Sequence, residues 1–402
     1  MGQAYHKNRL QKHLIYLMWN VMPKQQSDTS SENDESVCLT QMSAKKGIQM
    51  YGEGALQAMI TEYEQLENLT VFEPIPLDEL SYLMKRAALN AIDLIKLKRT
   101  GKLKGRTVAD GRKQRPFYDK GDTSSPALTQ DGFFASLAID AKEKRYIATA
   151  DIAGAFLKAK QKDFVVVRLQ GPAVEALLRI NADKYQPHVI YEKGKKVIYV
   201  RLLKAMYGTL TAPLLWYNMF SQSLTEKGFA INPYDLCVAN KMINGKQMTI
   251  CWYVDDLKVS HEDPNEVKKM ISTLENEFGK MNVKYGDEHT YLGMDLTIKD
   301  SKITVMMKDY LQEAIDSFGE DMKSPAKTPS TKALLEIDDE SELLGTAERS
   351  DMFHHIVAKL LHVAKRARLD IQPTVIFLCR RVRQPTIDDW KKLKRLLQYI
   401  PL

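Results

Sequence analysis

Cysteine is scarce in this sequence, and long apolar stretches are missing. The 402 residues include only four cysteines, no two of which form a C-x-x-C pair: Cys38, Cys237, Cys251 and Cys379. This spacing argues against a structural zinc site or a disulfide framework and favours a reducing compartment. The best apolar stretch, residues 14–22, is far shorter than the ~18 residues that a membrane helix needs. The sequence therefore predicts no membrane partner.

A strong charge of one sign is also missing. Lys and Arg number 58 and Asp and Glu 51, and this net charge of +7 is too mild for a histone-like or tail-type nucleic-acid binder. The cations are nevertheless unevenly placed, since residues 85–120 hold twelve against three acids and residues 354–402 hold eleven against three. Two such regions suggest a surface that holds a polyanion from two sides. Two solvated faces would give the same pattern.

The length predicts two or three domains. An apolar fraction of 44% and a charged fraction of 27% are ordinary values for a globular protein. Residues 27–36 (SDTSSENDES) are polar and acidic and include no aromatic residue, which is typical of a disordered linker. Residues 1–50 are therefore predicted to be a poorly ordered N-terminal extension.

Helices and strands are predicted to alternate irregularly after residue 50. Apolar residues at spacings of three and four predict helices, and β-rich runs bounded by turn residues predict strands. The predicted helices cover residues 54–66, 80–97, 133–141, 213–224, Pro264–Phe278 and much of the last fifty residues. Residues 102–110 are predicted to be a strand pair or a loop rich in cations. The predicted β segments are Tyr146–Asp151, 164–169, 197–203, a hairpin over 247–260 that turns near Val254, and a hairpin that joins 291–298 to Lys302–Met306; residues 323–345 are predicted to be a loop. The lack of regular βαβ alternation predicts an α+β fold.

Adjacent aspartates occur three times, and their surroundings differ. The pair at 338–339 lies in an acidic loop, and the pair at 388–389 opens a predicted helix, where acids interact favourably with the dipole. Asp255 and Asp256 lie instead between apolar β segments. Two like charges there raise one pKa and oppose folding, and a divalent cation would offset that cost. A solvated hairpin tip, where Asp is an ordinary turn residue, explains the pair equally well.

Asp151 ends the apolar strand predicted at Tyr146–Asp151. It could cap a helix that begins there. It could also meet Asp255 and Asp256 from a neighbouring strand of the same sheet. Three carboxylates at one sheet edge are what two-metal phosphoryl or nucleotidyl transfer requires.

Together these residues resemble the reverse transcriptases of copia-type (pseudoviral) LTR retrotransposons. The tetrapeptide YVDD at 253–256 is similar to the family's catalytic motif, and DIAGAF at 151–156 resembles its other metal motif. Further stretches resemble, in the family's order, the opening helix (58–70), a basic fingers strand (104–111), a nucleotide-pocket motif (201–208, followed by Ala212 and Pro213), the primer-grip hairpin (291–294) and the region after the palm (354–399). The resemblance covers about residues 55–400.

The resemblance implies a right-hand polymerase whose mixed palm sheet carries the carboxylates. Fingers and palm would occupy residues 51–300, and a helical, basic thumb- or connection-like region would occupy 301–402, truncated before any ribonuclease H domain. The implied activity is that of an RNA-directed DNA polymerase, which joins a dNTP to a primer 3′-hydroxyl by two-metal nucleotidyl transfer.

The resemblance also implies roles for individual residues. The catalytic and metal-binding groups would be the carboxylates of Asp151, Asp255 and Asp256 and the backbone carbonyl of Ile152, around two Mg²⁺ ions that Mn²⁺ could replace. The dNTP would contact Lys104, Arg106, Phe156, Thr211, Tyr253 and Val254, and the ring of Phe156 would exclude a 2′-hydroxyl. The primer grip would be formed by Tyr291, Leu292, Gly293 and Met294.

The implied partners are an RNA template, a DNA primer or RNA–DNA hybrid, dNTPs, and the integrase, ribonuclease H and protease of the same polyprotein. The implied location is intracellular, in cytoplasmic virus-like particles, with a nuclear phase as a further stage.

Two departures from the family pattern favour an alternative function. Thr211 stands where the family commonly has Gln, and Leu214 where a basic residue often follows Pro213. The alternative is a catalytically inactive, nucleic-acid-binding relic of a retrotransposon polyprotein. A third interpretation, an acid-cluster nuclease or phosphatase, would need histidines or further acids beside the metals. The nearest candidates are predicted to lie at the surface: His261, Glu262, Glu288 and His289.

Overall fold

A computed structural model describes residues 41–98, 101–320, 322 and 324–400. The predicted linker at 27–36 lies outside the described residues. The predicted N-terminal extension, 1–50, extends too far, because residues 41–50 already belong to the fold. Gln41–Ser43 forms a strand that pairs with the strand Leu89–Leu97, and a helix, Ala44–Tyr51, follows it.

Strands and helices are mixed along the described chain, which confirms the α+β class. The strands are β1 (Gln41–Ser43), β2 (Phe72–Pro74), β3 (Leu89–Leu97), β4 (Leu103–Ala109), β5 (Tyr146–Asp151), β6 (Val166–Gln170), β7 (Ile190–Glu192), β8 (Lys195–Leu202), β9 (Ala230–Ile231), β10 (Val238–Ile243), β11 (Lys246–Tyr253), β12 (Asp256–His261), β13 (Asn282–Tyr285), β14 (Glu288–Tyr291), β15 (Met294–Lys299) and β16 (Lys302–Met306). The α-helices are α1 (Ala44–Tyr51), α2 (Glu53–Asn68), α3 (Tyr82–Ala87), α4 (Lys120–Thr123), α5 (Gln130–Glu143), α6 (Pro172–Ile180), α7 (Ala182–Tyr185), α8 (Ala212–Glu226), α9 (Pro264–Phe278), α10 (Lys308–Phe318), α11 (Ala347–Ala364), α12 (Gln372–Cys379) and α13 (Ile387–Tyr399). None of the helices described is both long and apolar enough to cross a membrane.

The first sheet is mixed and follows the order β1-β3-β6-β8-β2, with β4 added to β3 and β7 to β8. The β3–β6 pair is parallel, and its other pairs are antiparallel. Helix α2 packs closely on β4: a Cβ atom on Gly105 would lie 2.4 Å from the carbonyl oxygen of Ala58. Helix α2 contributes the buried side chains of Met59, Tyr63 and Leu66 to a core that it shares with this sheet.

The second sheet is antiparallel and follows the order β13-β5-β12-β11-β10-β9. Successive side chains of a strand face opposite sides, and each side is covered differently. Trp252 packs against Phe220 of α8, their ring centroids 5.4 Å apart, whereas the next residue towards the N-terminus, Cys251, contacts Ser136 of α5. Helices α8 and α5 therefore lie on opposite faces of this sheet.

The third sheet, β14-β15-β16, and the C-terminal helices share the core of the second sheet. The described residues of the loop predicted at 323–345 form neither helix nor strand and include one isolated bridge, Leu343 to Thr386. Thr386 and Asp389 form a capping box at the start of α13, as expected for acids that open a helix.

Three local predictions are wrong. The helix predicted at 80–97 ends at Ala87 and is followed by β3. Alternate residues of β3, such as Asp93 and Ile95, face inward, and the strand pairs with β4. Helices α6 and α7 lie between β6 and β8, where no helix was predicted. The strand predicted at 291–298 is broken by a turn at Leu292 and Gly293, which both have positive φ.

Candidate active site

The candidate site is built on the register of two strands in the second sheet. Asp151, the last residue of β5, lies directly opposite Asp256, the first residue of β12. Residues directly opposite on antiparallel strands project to the same face, with their Cβ atoms about 5 Å apart. Asp255 lies in the turn that precedes Asp256, so the three aspartates occur at one end of the sheet. Asp151 is not a helix cap, since the 3₁₀ turn that follows it begins at Ala155.

The turn that carries Asp255 is held from two sides. The indole Nε1 of Trp216 on α8 donates to the carbonyl oxygen of Val254 at 2.7 Å, and the amide of Ile152 donates to the carbonyl oxygen of Asp255 at 3.0 Å. Val254 has φ +57°, a conformation that β-branched residues rarely adopt. The hydrogen bond from Trp216 helps to keep this strained turn in place. The hydrogen bond from Ile152 joins the turn to the residue that follows Asp151.

The aspartates interact unfavourably with one another. Burial, followed by the negative charges of Asp255 and Asp151, raises the pKa of Asp256 to about 6. Burial and the charge of Asp151 also raise the pKa of Asp255, whereas the charges of Arg106 and Lys104 lower it. Half-buried carboxylates that repel one another are stabilised by a cation.

Carboxylate oxygens are the donors that Mg²⁺ prefers in proteins. Within the described part of the chain, no three acidic, histidine or cysteine side chains already converge closely enough to enclose one ion. The fit of this edge to a divalent cation therefore depends on the carboxylate donors and on their mutual repulsion, and not on a preformed cage.

A cationic strand faces the aspartates. Lys104 and Arg106 project from the same side of β4, both are exposed, and the charges of both reach Asp255. The guanidinium of Arg106 lies 4.6 Å from the ring centroid of Tyr207. The ring of Tyr207 also packs against Phe156, with centroids 5.5 Å apart. Tyr207 thus connects the cationic strand to the segment that follows Asp151.

Tyr207 was not predicted as a site residue. Burial raises its pKa to about 12, and the charges of Arg106, Asp255 and Asp151 all act on it, which locates it among the predicted site residues. The signal was present in the sequence, because Tyr207 belongs to the stretch 201–208 that resembles a nucleotide-pocket motif. Gly208 allows the close approach: it has φ +86°, and a Cβ atom there would lie 2.1 Å from the carbonyl oxygen of Ala109, where β4 ends.

The other residues predicted to contact a nucleotide differ in how exposed their side chains are. Phe156 is half-buried and lies beside Tyr207. Tyr253 is 40% exposed, at the end of β11. Thr211 precedes α8 and is buried, and its hydroxyl has no hydrogen-bond partner in the described structure. A nucleotide contact for Thr211, Tyr253 and Val254 stays a prediction.

The predicted primer-grip residues form the turn of the β14–β15 hairpin. Tyr291 and Met294 pair across this hairpin and are buried. The hydroxyl of Tyr291 donates to the carbonyl oxygen of Asp256 at 3.1 Å, so the hairpin is joined to the aspartates. Leu292 and Gly293 form the tip. Of the four predicted residues, these two are therefore the accessible ones, and the hydrogen bond of Tyr291 fixes their position relative to Asp256.

The histidines predicted to lie at the surface are buried. His261 is 1% exposed and His289 is 2% exposed. Nδ1 of His289 lies 3.0 Å from the hydroxyl of Thr149, and its Nε2 lies 2.7 Å from the carbonyl oxygen of Gly286. Burial lowers the pKa of His289. Neither histidine is accessible as a metal ligand. Of the two glutamates named with them, Glu288 is exposed as predicted, and Glu262 is half-buried and forms an ion pair with Lys246 at 2.9 Å.

The comparisons with known proteins agree with this geometry. A family model described as reverse transcriptase (RNA-dependent DNA polymerase) matches residues 91–332, more than half of the chain. The chain belongs to this family. The matched region includes both strands that carry the aspartates, together with β4, Tyr207 and the β14–β15 hairpin.

Curated relatives identify the branch of the reverse transcriptase family. The chain is 25% identical over 298 residues to the retrovirus-related Pol polyprotein from transposon RE2 of Arabidopsis thaliana. This alignment covers 74% of this chain and 19% of that protein. It is 22% identical over 357 residues to the retrovirus-related Pol polyprotein from transposon TNT 1-94 of Nicotiana tabacum. This second alignment covers 86% of this chain and 25% of that protein. The resemblance to the copia-type enzymes is thereby confirmed. The chain spans only a fifth to a quarter of the length of these relatives.

A solved structure of a foamy viral protease-reverse transcriptase in complex with double-stranded DNA is also similar to this chain. The match has a TM-score of 0.36 and 12% identity and covers 81% of this chain and 48% of that one.

Proposed function

We propose that this chain is an RNA-directed DNA polymerase that transfers nucleotides from dNTPs to a primer 3′-hydroxyl. The observation that carries the proposal is the pairing of Asp151 with Asp256 beside Asp255, with the cations of β4 facing them. Membership of the reverse transcriptase family supports it. The proposed nucleic-acid partners are an RNA template and a DNA primer.

The proposed architecture is that of a right hand. The second sheet, which carries the aspartates, would be the palm, and the first sheet with α2 would be the fingers. The boundaries proposed from the sequence, 51–300 and 301–402, need one change at the first of them, because β1 already pairs with β3. Helices α10 to α13 would form the region after the palm.

The proposed chemistry divides the site into three groups of residues. Asp151, Asp255 and Asp256, with the carbonyl of Ile152, would hold two Mg²⁺ ions. When bound, such ions supply positive charge that lowers the pKa of a hydroxyl nucleophile and stabilises a leaving pyrophosphate. Lys104 and Arg106 would bind the triphosphate, where Arg can make bidentate contacts. Phe156 and Tyr207 would form the wall beside the sugar, and the tip at Leu292 and Gly293 would support the primer end.

Primer extension on an RNA template tests the proposal directly. Wild type is expected to extend an annealed DNA primer with dNTPs and Mg²⁺. Asp255→Asn keeps the size of the side chain and removes its charge, and is expected to abolish extension. Asp339→Asn, at an exposed position in the loop between α10 and α11, is the matched control and should retain full activity.

Two results would contradict the proposal. Equal extension by wild type and Asp255→Asn would remove the aspartates from the chemistry. Binding of primer–template by wild type without any extension would favour the inactive relic.

A further inference from the structure

A row of cations follows Phe156 on the outside of the molecule. Lys158, Lys160, Lys162 and Phe164 occur at two-residue spacing, and Ala159, which alternates with them, is only 2% exposed. Lys158 ends the 3₁₀ helix Ala155–Lys158 and is half-buried. The chain that follows is not helical, and Lys160, Lys162 and Phe164 are exposed at alternate positions on the outer face.

A neighbouring segment adds two cations to this face. Lys160 and Lys204 are bridge partners, and the amide of Gln161 donates to the carbonyl oxygen of Leu203 at 2.9 Å. Lys204 therefore lies directly across from Lys160. Further along, the guanidinium of Arg201 lies 5.2 Å from the ring centroid of Phe164, which is 39% exposed. We name this surface the lysine row: Lys158, Lys160, Lys162, Phe164, Arg201 and Lys204.

The charges of the lysine row are poorly balanced. Among the described residues, none of its lysines forms an ion pair with a carboxylate, and Lys158 and Lys204 are close enough to repel each other. Arg201 reaches Glu73 only at 3.7 Å, with both side chains about half exposed, a geometry of little energetic worth. The nearby Asp163 accepts a hydrogen bond from the hydroxyl of Tyr118 at 2.8 Å. A polyanion would relieve the repulsion within the row.

We propose that the lysine row binds single-stranded nucleic acid, with phosphates along the lysines and a base stacked on Phe164. An extended cationic track with an exposed aromatic ring is the usual surface for unpaired strands, because duplex bases cannot stack on a side chain. The chain from Lys160 to Phe164 spans at most about 13 Å, enough for a short run of nucleotides. The row begins two residues after Phe156, so this strand would be continuous with the substrate at the candidate active site. The choice of nucleic acid over another polyanion rests on the proposed function.

Fluorescence anisotropy with a labelled oligo(dT) and with a blunt DNA duplex tests the proposal on the full chain. The triple variant Lys158→Gln/Lys160→Gln/Lys204→Gln is compared with Lys195→Gln/Lys196→Gln/Lys268→Gln, which removes the same charge from exposed lysines elsewhere. Each lost phosphate contact should reduce the slope of log K against log salt for single strands by about 0.7. The row variant should therefore lose roughly two units of slope, whereas the control variant should lose none. Phe164→Ala should weaken oligo(dT) binding by roughly five- to a hundredfold and leave duplex binding unchanged.

Other outcomes would overturn the proposal. Equal losses in both triple variants would show that only net charge matters. A loss confined to the duplex would assign the row to paired nucleic acid, and full competition by inorganic polyphosphate, with no effect of Phe164→Ala, would assign it to a general polyanion. Failure of the polymerase proposal would appear as a lack of primer extension by wild type, and failure of this one as unchanged oligo(dT) binding by the row variant.

Discussion

Asp151 and Asp256 lie directly opposite one another on the antiparallel strands β5 and β12. A slip of one residue in this register would send one carboxylate to the other face of the sheet. Two hydrogen bonds next to the pair oppose such a slip: the hydroxyl of Tyr291 donates to the carbonyl oxygen of Asp256, and the amide of Ile152 donates to that of Asp255. The geometry of the site therefore depends on backbone contacts as much as on the aspartates themselves.

Divalent ions are predicted to stabilise the folded protein through these aspartates. Mg²⁺ that binds the folded state alone should add about 1 kcal/mol or more once its concentration exceeds its dissociation constant several-fold. The melting temperature should then rise by about 1 °C or more. Thermal unfolding with EDTA and with MgCl₂ measures this rise. Asp256→Asn should lose it and Asp339→Asn should keep it; an equal rise in both variants would contradict a site at this edge.

Tyr207 is predicted to shape the nucleotide pocket through its ring. Contacts of the ring with Arg106 and Phe156 are lost in Tyr207→Ala and kept in Tyr207→Phe. A cation–π contact is worth about 0.5–2 kcal/mol, so the alanine variant should raise the KM for dNTP by roughly two- to thirtyfold. Steady-state extension with varied dNTP provides the measurement. If the phenylalanine variant is impaired as severely as the alanine variant, the hydroxyl and not the ring is responsible.

Asp93 is predicted to make stability depend on pH. Burial raises the pKa of Asp93 to about 6, although the hydroxyls of Thr107 and Tyr63 donate to it. The folded chain therefore binds this proton more tightly than the unfolded chain, and the free energy of unfolding falls as pH rises from about 4 to about 6. Asp93→Asn keeps an acceptor and removes the charge, so it should be more stable at pH 7.5 by about 1–3 kcal/mol.

Urea unfolding of wild type and Asp93→Asn between pH 4 and 8 checks this expectation. The difference between the two proteins should grow up to about pH 6–7 and then stay constant. A constant difference over the whole range would show that Asp93 does not titrate there.

The hairpin of β11 and β12 and the helix Pro264–Phe278 could be predicted from the sequence because their patterns are local. A turn at Val254 follows from apolar segments on both sides of two aspartates. Strand β3 could not be recognised in the same way, because its apolar residues also match a helical spacing over 80–97. Only its pairing with β4 and the inward position of Asp93 decide in favour of a strand.

Tertiary contacts also explain which site features the sequence missed. His289 resembles a surface residue in a polar stretch, but the hydroxyl of Thr149 and the carbonyl of Gly286 provide partners that allow its burial. Tyr207 could be placed in a motif, but its contact with Arg106 depends on how β4 meets Gly208.

The buried ion pair of Lys258 and Asp140 is predicted to respond asymmetrically to mutation. Both side chains are fully buried, and Arg145 lies 3.7 Å from the same carboxylate. Lys258→Met leaves Asp140 with Arg145, whereas Asp140→Leu leaves the buried Lys258 without a counterion, since Arg145 keeps Glu143 at 2.7 Å. Breaking a buried pair costs about 3–5 kcal/mol, so Asp140→Leu should reach that range and Lys258→Met should cost less. Urea unfolding measures both, and the reverse order would contradict the role assigned to Arg145.

Replacement of Gly208 is predicted to disturb the contact between the end of β4 and the stretch 201–208, which resembles a nucleotide-pocket motif. It has φ +86°, and a Cβ atom there would lie 2.1 Å from the carbonyl oxygen of Ala109. Gly194, in the β7–β8 turn, is the matched control, because it has φ +75° and open space around it. Gly194→Ala bears only the cost of a left-handed conformation, about 1–2 kcal/mol.

Gly208→Ala bears the same conformational cost and must also move the end of β4, where the amide of Ala109 donates to the carbonyl oxygen of Tyr207 at 2.7 Å. Because that movement separates Arg106 from Tyr207, the KM for dNTP should rise in Gly208→Ala and stay unchanged in Gly194→Ala. Unfolding in urea and extension kinetics on the two variants provide the comparison. If both lose stability equally and neither changes KM, then the contact at Ala109 does not hold the cationic strand against the pocket.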